Sequence, residues 1–389
     1  MKVALNGLFL HRHDGTGRYS RELLRAAARL ERAGQAPIAP AWHLLGQRGD
    51  APELPLDPLP RCLTCEWLTP PALIGRGNAA KLWFEQRAMP ARARAAGADL
   101  LHYPYFAAPL RPTARLVVTV HDLIPLLLPE YRGSRLVRAY MALQSATVRR
   151  AGLILADSQA SRHDVVRLLS VPRHRVRVVP LGVDPEFVPA TDAEVTAVRA
   201  RYRLPERYLL YSGGLDVRKN VERLILAYAR ARASGGLSEP LVVTGDASRR
   251  GPLHRPLPPL IERLGLGEQV RLVGLVPDGE LPALYTGATL FVYPSRYEGF
   301  GLPVLQAMAC GAPVACSTGG SLAEVAGDAA LTFAPDDELG LADALRRGLQ
   351  DDALRERLRA EGRARASQFT WERTAAATLQ AYADAAGAA

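Results

Sequence analysis

Short apolar, β-branched runs alternate with longer amphipathic stretches along almost the whole chain. VALNGLFL, RLVVTVHD, GLILADS and VRVVPLG stand out as strands in the first half, and YLLYSGG, PLVVTGD, VRLVG, TLFVYPS and PVACS in the second. Between them, segments such as RYSRELLRAAARLERAG and RKNVERLILAYARARASGG place apolar residues at helical spacing and end near a glycine, as helices tend to. Strand alternating with helix is what a parallel sheet covered by helices requires. Its repetition predicts an α/β protein of two doubly wound halves.

Length agrees, because 389 residues exceed what one ordinary core organises. After PLGVDPEFVP the chain is punctuated by Pro180, Pro185 and Pro189, and an acidic, helix-like stretch leads into the second set of strands. We therefore expect a first domain over 1–185, a linker near 185–205, a second domain over 205–369, and a closing amphipathic segment, 370–389, that packs back on the first domain. No apolar run approaches the ~20 residues of a membrane-spanning helix, since LVVTVHDLIPLLL is cut by His121, Asp122 and Pro125. MKVALNGLFL turns polar at His11-Arg12 without a small-residue cleavage site, which fits a buried first strand better than a signal peptide and leads us to expect a cytoplasmic protein. The four cysteines, Cys62, Cys65, Cys310 and Cys316, are too few and too irregular for a disulfide framework. No second pair completes a zinc site with Cys62 and Cys65.

Charge adds an asymmetry. Residues 1–185 carry 26 Lys and Arg against 14 Asp and Glu, an excess of twelve, whereas the remainder carries 23 against 25. An anionic partner (nucleic acid, a phospholipid surface or a phosphorylated substrate) would account for this, and so would solvated helix faces in an Arg-rich chain.

Ligands of open α/β sheets bind beyond the carboxyl ends of the strands, so polar or glycine-rich sequence just after a strand is where chemistry is sought. After the first strand comes HRHDGTGRYSREL, in which Gly15 and Gly17 either admit a ligand close to the backbone or merely serve a tight turn, with a helix starting at about Arg18 or Ser20. The third glycine of a dinucleotide fingerprint is missing. LVVTVHDLIP ends an apolar strand with His121 and Asp122, an ionisable pair at a sheet's carboxyl edge that suits either a cap or a catalytic role. YLLYSGGLDVRKNVERLI follows a strand with Gly213 and Gly214 and then Arg218-Lys219-Asn220. Two cations ahead of a helix oppose its dipole, so this dipeptide calls for a compensating anion, such as a bound phosphate, or another reason. In PSRYEGFGLPVLQAMACGAPVACSTGGSLAEV, Glu298 and the amides of Gly299, Phe300 and Gly301 precede a helix from about Pro303. A carboxylate accepts from hydroxyls while turn amides donate to them, the pairing a sugar ring needs.

Taken in order along nearly the whole chain, these stretches closely resemble the family 4 retaining glycosyltransferases, which have the GT-B architecture: two Rossmann-like doubly wound parallel-sheet domains with an interdomain cleft. The phrasing of TGRYS and HDLIP is most similar to bacterial mannosyl- and rhamnosyltransferases of cell-surface polysaccharide assembly. The resemblance implies that Glu298 is the first acid of the family's Glu-x7-Glu motif and contacts the transferred sugar, with Gly299, Phe300, Gly301 and Leu302 nearby. It implies that Arg218 and Lys219 neutralise the donor diphosphate beside Gly213 and Gly214, and that His121 is the cleft histidine near the donor sugar. It places Gly15, Thr16 and Gly17 in the loop facing donor phosphates or acceptor, and Glu324 in a loop beside the nucleotide.

One departure stands out, since the second motif acid is Gln306 here. An amide still binds a ribose hydroxyl but without charge, which favours a deoxyribose donor somewhat more than Glu would. The expected donor is GDP-mannose, with dTDP-rhamnose or a UDP-sugar as alternatives. The expected acceptor is a glycan or polyprenyl-linked saccharide, reached at an anionic membrane surface by the basic first half. No cofactor is expected and no metal, as no Asp-x-Asp site is present to hold one. A rival reading is a non-catalytic basic protein, binding a membrane or nucleic acid on a glycosyltransferase scaffold. Against nucleic acid, the basic half shows no repeated interleaving of aromatic and basic residues.

Overall fold

A computed structural model of the protein describes residues 1–12, 14–48, 57–75, 77–235 and 237–387. The chain forms two compact units, 1–182 with 370–389, and 183–369. The first is built on a seven-stranded sheet of β1 (Lys2–Asn6), β2 (Ala41–Gln47), β3 (Leu63–Leu68), β4 (Leu100–Tyr103), β5 (Arg115–Val120), β6 (Leu153–Ala156) and β7 (Val176–Val178), in the order β3-β2-β1-β4-β5-β6-β7. The second holds β8 (Leu209–Tyr211), β9 (Leu241–Thr244), β10 (Val270–Gly274), β11 (Leu290–Tyr293), β12 (Val314–Ser317) and β13 (Leu331–Phe333), in the order β10-β9-β8-β11-β12-β13. Every pairing of neighbours within these sheets is parallel.

Alternation along each strand explains how the first sheet buries both faces. Ala4, Leu101, Val118 and Ile154 pack on one side with Phe84, Met89 and Val165. Their neighbours Val3, Leu5, Leu100, Val117 and Leu155 pack on the other with Leu24, Ala27, Leu379 and Tyr382. A parallel strand covered on both faces is a nearly continuous apolar run, which is why β5 reads as LVVTV and β11 as LFVY. The closing helix, Trp371–Gly387, lies on the second of these faces beside the helix Gly15–Ala33. Arg29 pairs with Glu372 at 2.6 Å, Thr374 donates to the Pro180 carbonyl at 2.7 Å, and Tyr382 OH lies 2.6 Å from His102 Nδ1.

Three features differ from the sequence reading. The stretch expected as a linker near 185–205 packs within the second unit. It carries the helix Asp192–Arg201, started by a capping box between Thr191 and Glu194, with Val195 and Val198 buried and the Phe187 ring 6.3 Å from that of Tyr285. The first helix begins at Gly15, not near Arg18 or Ser20, because the Asp14 side chain accepts from Gly17 N at 3.0 Å and supplies the cap. Strands β2, β3, β4 and β13 go beyond the runs read as strands. His43 and Gln47 interrupt β2, β3 is a half-exposed edge, and β4 and β13 are only four and three residues long.

Candidate functional site

In each sheet the strand order reverses between two neighbours, β1 and β4 in the first unit and β8 and β11 in the second. Loops leaving such a pair turn apart and open a crevice at their carboxyl ends. In the second unit Gly213 and Gly214 follow β8 and lead to a single 3-10 turn, Val217–Lys219, while Glu298 follows β11. The two loops are stitched together: Arg296 N donates to the Arg218 carbonyl at 2.7 Å, and Asn220, in the left-handed region at φ 61°, donates through Nδ2 to the carbonyls of Pro294 and Pro335 at 3.1 and 2.9 Å.

This stitching brings Arg218, Lys219 and Glu298 into contact, with Asp216 3.8 Å from Arg218 Nε. Arg218 Nη1 lies 2.7 Å from one Glu298 oxygen and Lys219 Nζ 2.7 Å from the other. Tyr293 OH donates to Glu298 Oε1 at 3.1 Å and accepts from Lys219 Nζ at 2.6 Å, its ring stacked on that of Tyr211 with centroids 6.0 Å apart. Arg218 also donates to the Tyr297 carbonyl at 2.8 Å. The anion that the basic dipeptide calls for is thus present in the chain itself. The residues to which the family resemblance gives separate tasks, sugar contact for the acid and diphosphate contact for the cations, form one cluster here.

Burial would raise the Glu298 carboxyl, but Lys219 and Arg218 beside it hold it down to about 2. Burial works on Lys219 in the opposite sense and, with Arg218 nearby, leaves its ammonium below the usual range despite Glu298. A depressed acid stabilises the fold above its unfolded pKa and loses that contribution as pH falls through the folded value. From 4.5 down to about 2 the Glu298 contribution is about 3 kcal/mol. Urea titrations should therefore show wild-type stability falling by that amount more than Glu298→Gln between pH 5 and about 2, and equal pH dependence would refute the assignment.

The remaining residues of this group line the same loop. Gly301, at φ 107°, caps the helix Leu302–Ala309, and a Cβ there would meet Leu322 at 2.6 Å. Gly299 is buried, Phe300 packs edge-on against Phe369 at 5.9 Å, and Leu302 is half-buried. Gln306 sits one turn into the helix and is buried. Glu324 is exposed on the short helix Leu322–Ala326, whose preceding Ser321 donates from its backbone to the Glu298 carbonyl at 3.0 Å.

In the first unit His121 directly follows β5, Pro104 follows β4 and Asp157 follows β6, so three adjacent strand ends converge. His121 Nδ1 lies 2.7 Å from Asp157 Oδ2 and Nε2 lies 3.1 Å from the Pro104 carbonyl. Both partners are acceptors only, so both ring nitrogens must carry protons. Burial opposes the charge, yet Asp157 overcomes it and raises the imidazole above its ordinary value. The arrangement therefore favours the imidazolium form of His121, whose side chain keeps 20% exposure. Asp122 instead accepts from Ile124 N at 3.1 Å, capping the next turn.

Tyr19 links this histidine to the glycine turn, with its ring edge-on 4.9 Å from that of His121 and its hydroxyl 3.1 Å from Thr119 Oγ1. Thr16, half-buried, accepts from Ser20 Oγ through its carbonyl at 3.0 Å. Gly17 serves its own loop, since a Cβ would meet the carbonyls of Arg12 and Phe9 at 2.1 and 2.7 Å, whereas the space above Gly15 is open. Gly17→Ala should accordingly lower the melting temperature by several degrees and Gly15→Ala should not, a contrast that differential scanning fluorimetry would read.

The sequence reading passed over Asp157, Tyr293 and Tyr19. The first two had a signal, an acid directly after GLILA and a hydroxyl ending TLFVY; Tyr19 looked like one apolar residue of a helix. Among the described residues no group of three or more His, Cys, Asp or Glu could hold a metal ion.

With this geometry in hand, comparisons with known proteins are informative. Residues 13–187 match the model of Glycosyltransferase Family 4, and residues 196–365 that of Glycosyl transferases group 1. An Escherichia coli O-antigen chain mannosyltransferase B is 39% identical over 73% of this chain and 74% of its own length. A serotype-specific mannosyltransferase WbdA from the same organism is 34% identical over 67% of this chain but only 32% of its own. Among solved structures, a sucrose-phosphate synthase from Thermosynechococcus elongatus superposes with a TM-score of 0.74 over 100% of both chains at 24% identity. WaaG, a glycosyltransferase of lipopolysaccharide biosynthesis, gives 0.66 over 100% of both at 19% identity.

Proposed function

We propose that this chain, which belongs to the family 4 glycosyltransferases and shares the GT-B fold, is a metal-independent, retaining mannosyltransferase. It would draw on GDP-mannose and act on a glycan or polyprenyl-linked acceptor in polysaccharide synthesis. The observation that carries the reading is the cluster at the β8–β11 reversal, where two largely buried cations, Arg218 and Lys219, share the Glu298 carboxylate beside the Gly213-Gly214 turn, with Asp216 3.8 Å from Arg218. Such a cluster attracts an anion and stabilises it as its charge grows. The sugar is argued from the mannosyltransferases to which the chain is similar.

In this mechanism Arg218 and Lys219 turn from Glu298 to the donor diphosphate, which frees the carboxylate to accept from hydroxyls of the sugar. The bond from the anomeric carbon to the diphosphate oxygen breaks as the acceptor oxygen bonds on the same face. The acceptor's proton passes to the departing diphosphate. His121 supplies a fixed positive charge. It does not act as a base, because both its nitrogens already donate.

Incubating the protein with GDP-, UDP- and dTDP-sugars and measuring released nucleoside diphosphate tests the activity and identifies the donor. Release from GDP-mannose above all others is expected, and no release from any would sink the proposal. Gln306→Glu should then shift preference away from dTDP-sugars by severalfold in kcat/KM; an unchanged ranking would remove Gln306 from donor choice. We place the working protein at an anionic membrane face, in keeping with the excess of twelve positive charges over 1–185. Sedimentation with vesicles rich in phosphatidylglycerol but not with neutral ones is the expected outcome.

A further inference from the structure

We infer that the first unit carries a second anion site, for the phosphate or diphosphate of the acceptor, in the cavity bordered by Arg12, Arg48 and Lys81. The inference rests on the transferase reading only in naming whose phosphate it is.

The cavity, about 940 Å³, lies where β1, β2 and β3 deliver their carboxyl ends. Leu8 to Arg12 follow β1, Arg48 follows β2, Thr69 to Ala72 follow β3, and Lys81 closes it from the helix Asn78–Trp83. Its lining belongs to the first unit, and the Arg218–Lys219–Glu298 cluster to the second. Four basic side chains line it, His11 with the three named, and no acid does among the described residues. The space suffices for a phosphate group together with the sugar it carries.

Lys81 is the built part of the site. Its Nζ sits 4.6, 5.2 and 5.7 Å from the ring centroids of Tyr140, Phe9 and Tyr105. One turn on, the fully buried Glu85 places Oε1 3.7 Å from that Nζ. Glu85 is itself fixed, accepting from Tyr105 OH at 2.9 Å, Tyr140 OH at 3.1 Å and Gln144 Nε2 at 3.3 Å. Burial draws the Lys81 ammonium down, and Glu85 opposes that loss of charge. A buried acid with three neutral donors and one cation is a costly arrangement for a surface lysine to need. It makes sense where a cation must be held in one place in a cavity wall. Arg12, its guanidinium 5.0 Å over the Phe9 ring, continues the same aromatic platform. Two guanidinium forks and an ammonium on one cavity wall suit phosphate oxygens, which would compete with exposed Asp14 for Arg12, its partner at 3.4 Å. Leu73, fully exposed on the turn that contributes Ala72, offers an apolar contact next to the cavity for a lipid chain.

The test titrates the full chain with inorganic pyrophosphate and with farnesyl diphosphate by calorimetry. Wild type is compared with Arg48→Glu and Arg12→Ala, both exposed positions whose folding is checked by melting temperature. Each substitution should weaken binding about tenfold or more. Because neither residue belongs to the unit holding Arg218 and Lys219, such a loss reports this cavity. Equal affinities in wild type and both variants would overturn the inference. Similar affinity for the two ligands identifies a soluble phosphorylated glycan. Tighter farnesyl diphosphate binding, lost in Leu73→Ser, identifies a lipid-linked one. With acceptor present, the variants should raise its KM about tenfold while donor hydrolysis without acceptor stays unchanged. Should the wild type hydrolyse no donor, the transferase reading fails, while the calorimetric comparison still decides the site.

Discussion

Glu298→Ala should cost about 3–5 kcal/mol of stability, because it removes the nearest counter-charge of two cations whose side chains are each only 13% exposed. Lys219→Ala should cost less, since Arg218 Nη1 and Tyr293 OH still satisfy the carboxylate. Activity should order the other way. If the cations hold the departing diphosphate, Lys219→Ala and Arg218→Ala each lower kcat by about 10²–10³-fold, the usual loss on removing a group that stabilises developing charge. A third variant separates structure from chemistry. Lys219→Met with Glu298→Gln removes one cation with the acid and leaves Arg218 to Asp216, 3.8 Å away, so stability should return part of the way to wild type while turnover stays low. The anion-exchange idea adds a ligand effect. GDP should raise the melting temperature of Glu298→Ala by more than it raises that of wild type, since the nucleotide's phosphates then supply the missing negative charge. Equal shifts, or a double variant with restored turnover, would show that the cluster is a structural ion pair and that the diphosphate is held elsewhere.

Much of this arrangement is legible in the sequence. Buried strands such as RLVVTV and TLFVY carry their assignment in an unbroken apolar run, and GG-x3-RK followed far downstream by EGFG marks the two loops that meet. A basic dipeptide ahead of a helix even announces that an anion is needed. What the sequence does not carry is which anion, because the contact of Lys219 with Glu298 spans 79 positions and depends on β8 and β11 being neighbours. The short, interrupted strands are hidden for a different reason. β4 and β13 owe their existence to partners on the sheet and have too few residues for a period of two to show. The stretch after Pro185 looked like a linker because its composition is acidic and proline-punctuated, yet two valines and Phe187 are enough to fix it on the second unit.

His121→Ala should lower kcat by about 10²–10³-fold, and Asp157→Asn should do the same only at alkaline pH. The charge state of the ring decides both outcomes. With a carboxylate on Nδ1 and a carbonyl on Nε2, losing either proton leaves a lone pair facing an acceptor, so the geometry is satisfied only by the imidazolium. Because the folded pKa is raised, the stabilisation is complete below the free-histidine value of about 6.5 and is lost as pH rises through the folded value. Activity that depends on this charge must fade over the same window. Asparagine at 157 keeps an oxygen for the Nδ1 proton but removes the negative charge, so the pKa falls back and the alkaline limb of the rate profile moves to lower pH. Below its own alkaline limb the variant should approach wild-type turnover, and above it turnover should fall towards His121→Ala. Between the two limbs, nitrogen-15 spectra of the ring should show both nitrogens protonated in wild type and one deprotonated in Asp157→Asn. A base would behave in the opposite way, gaining activity as its proton is lost, so wild-type turnover rising through this window would replace the fixed cation with a proton acceptor.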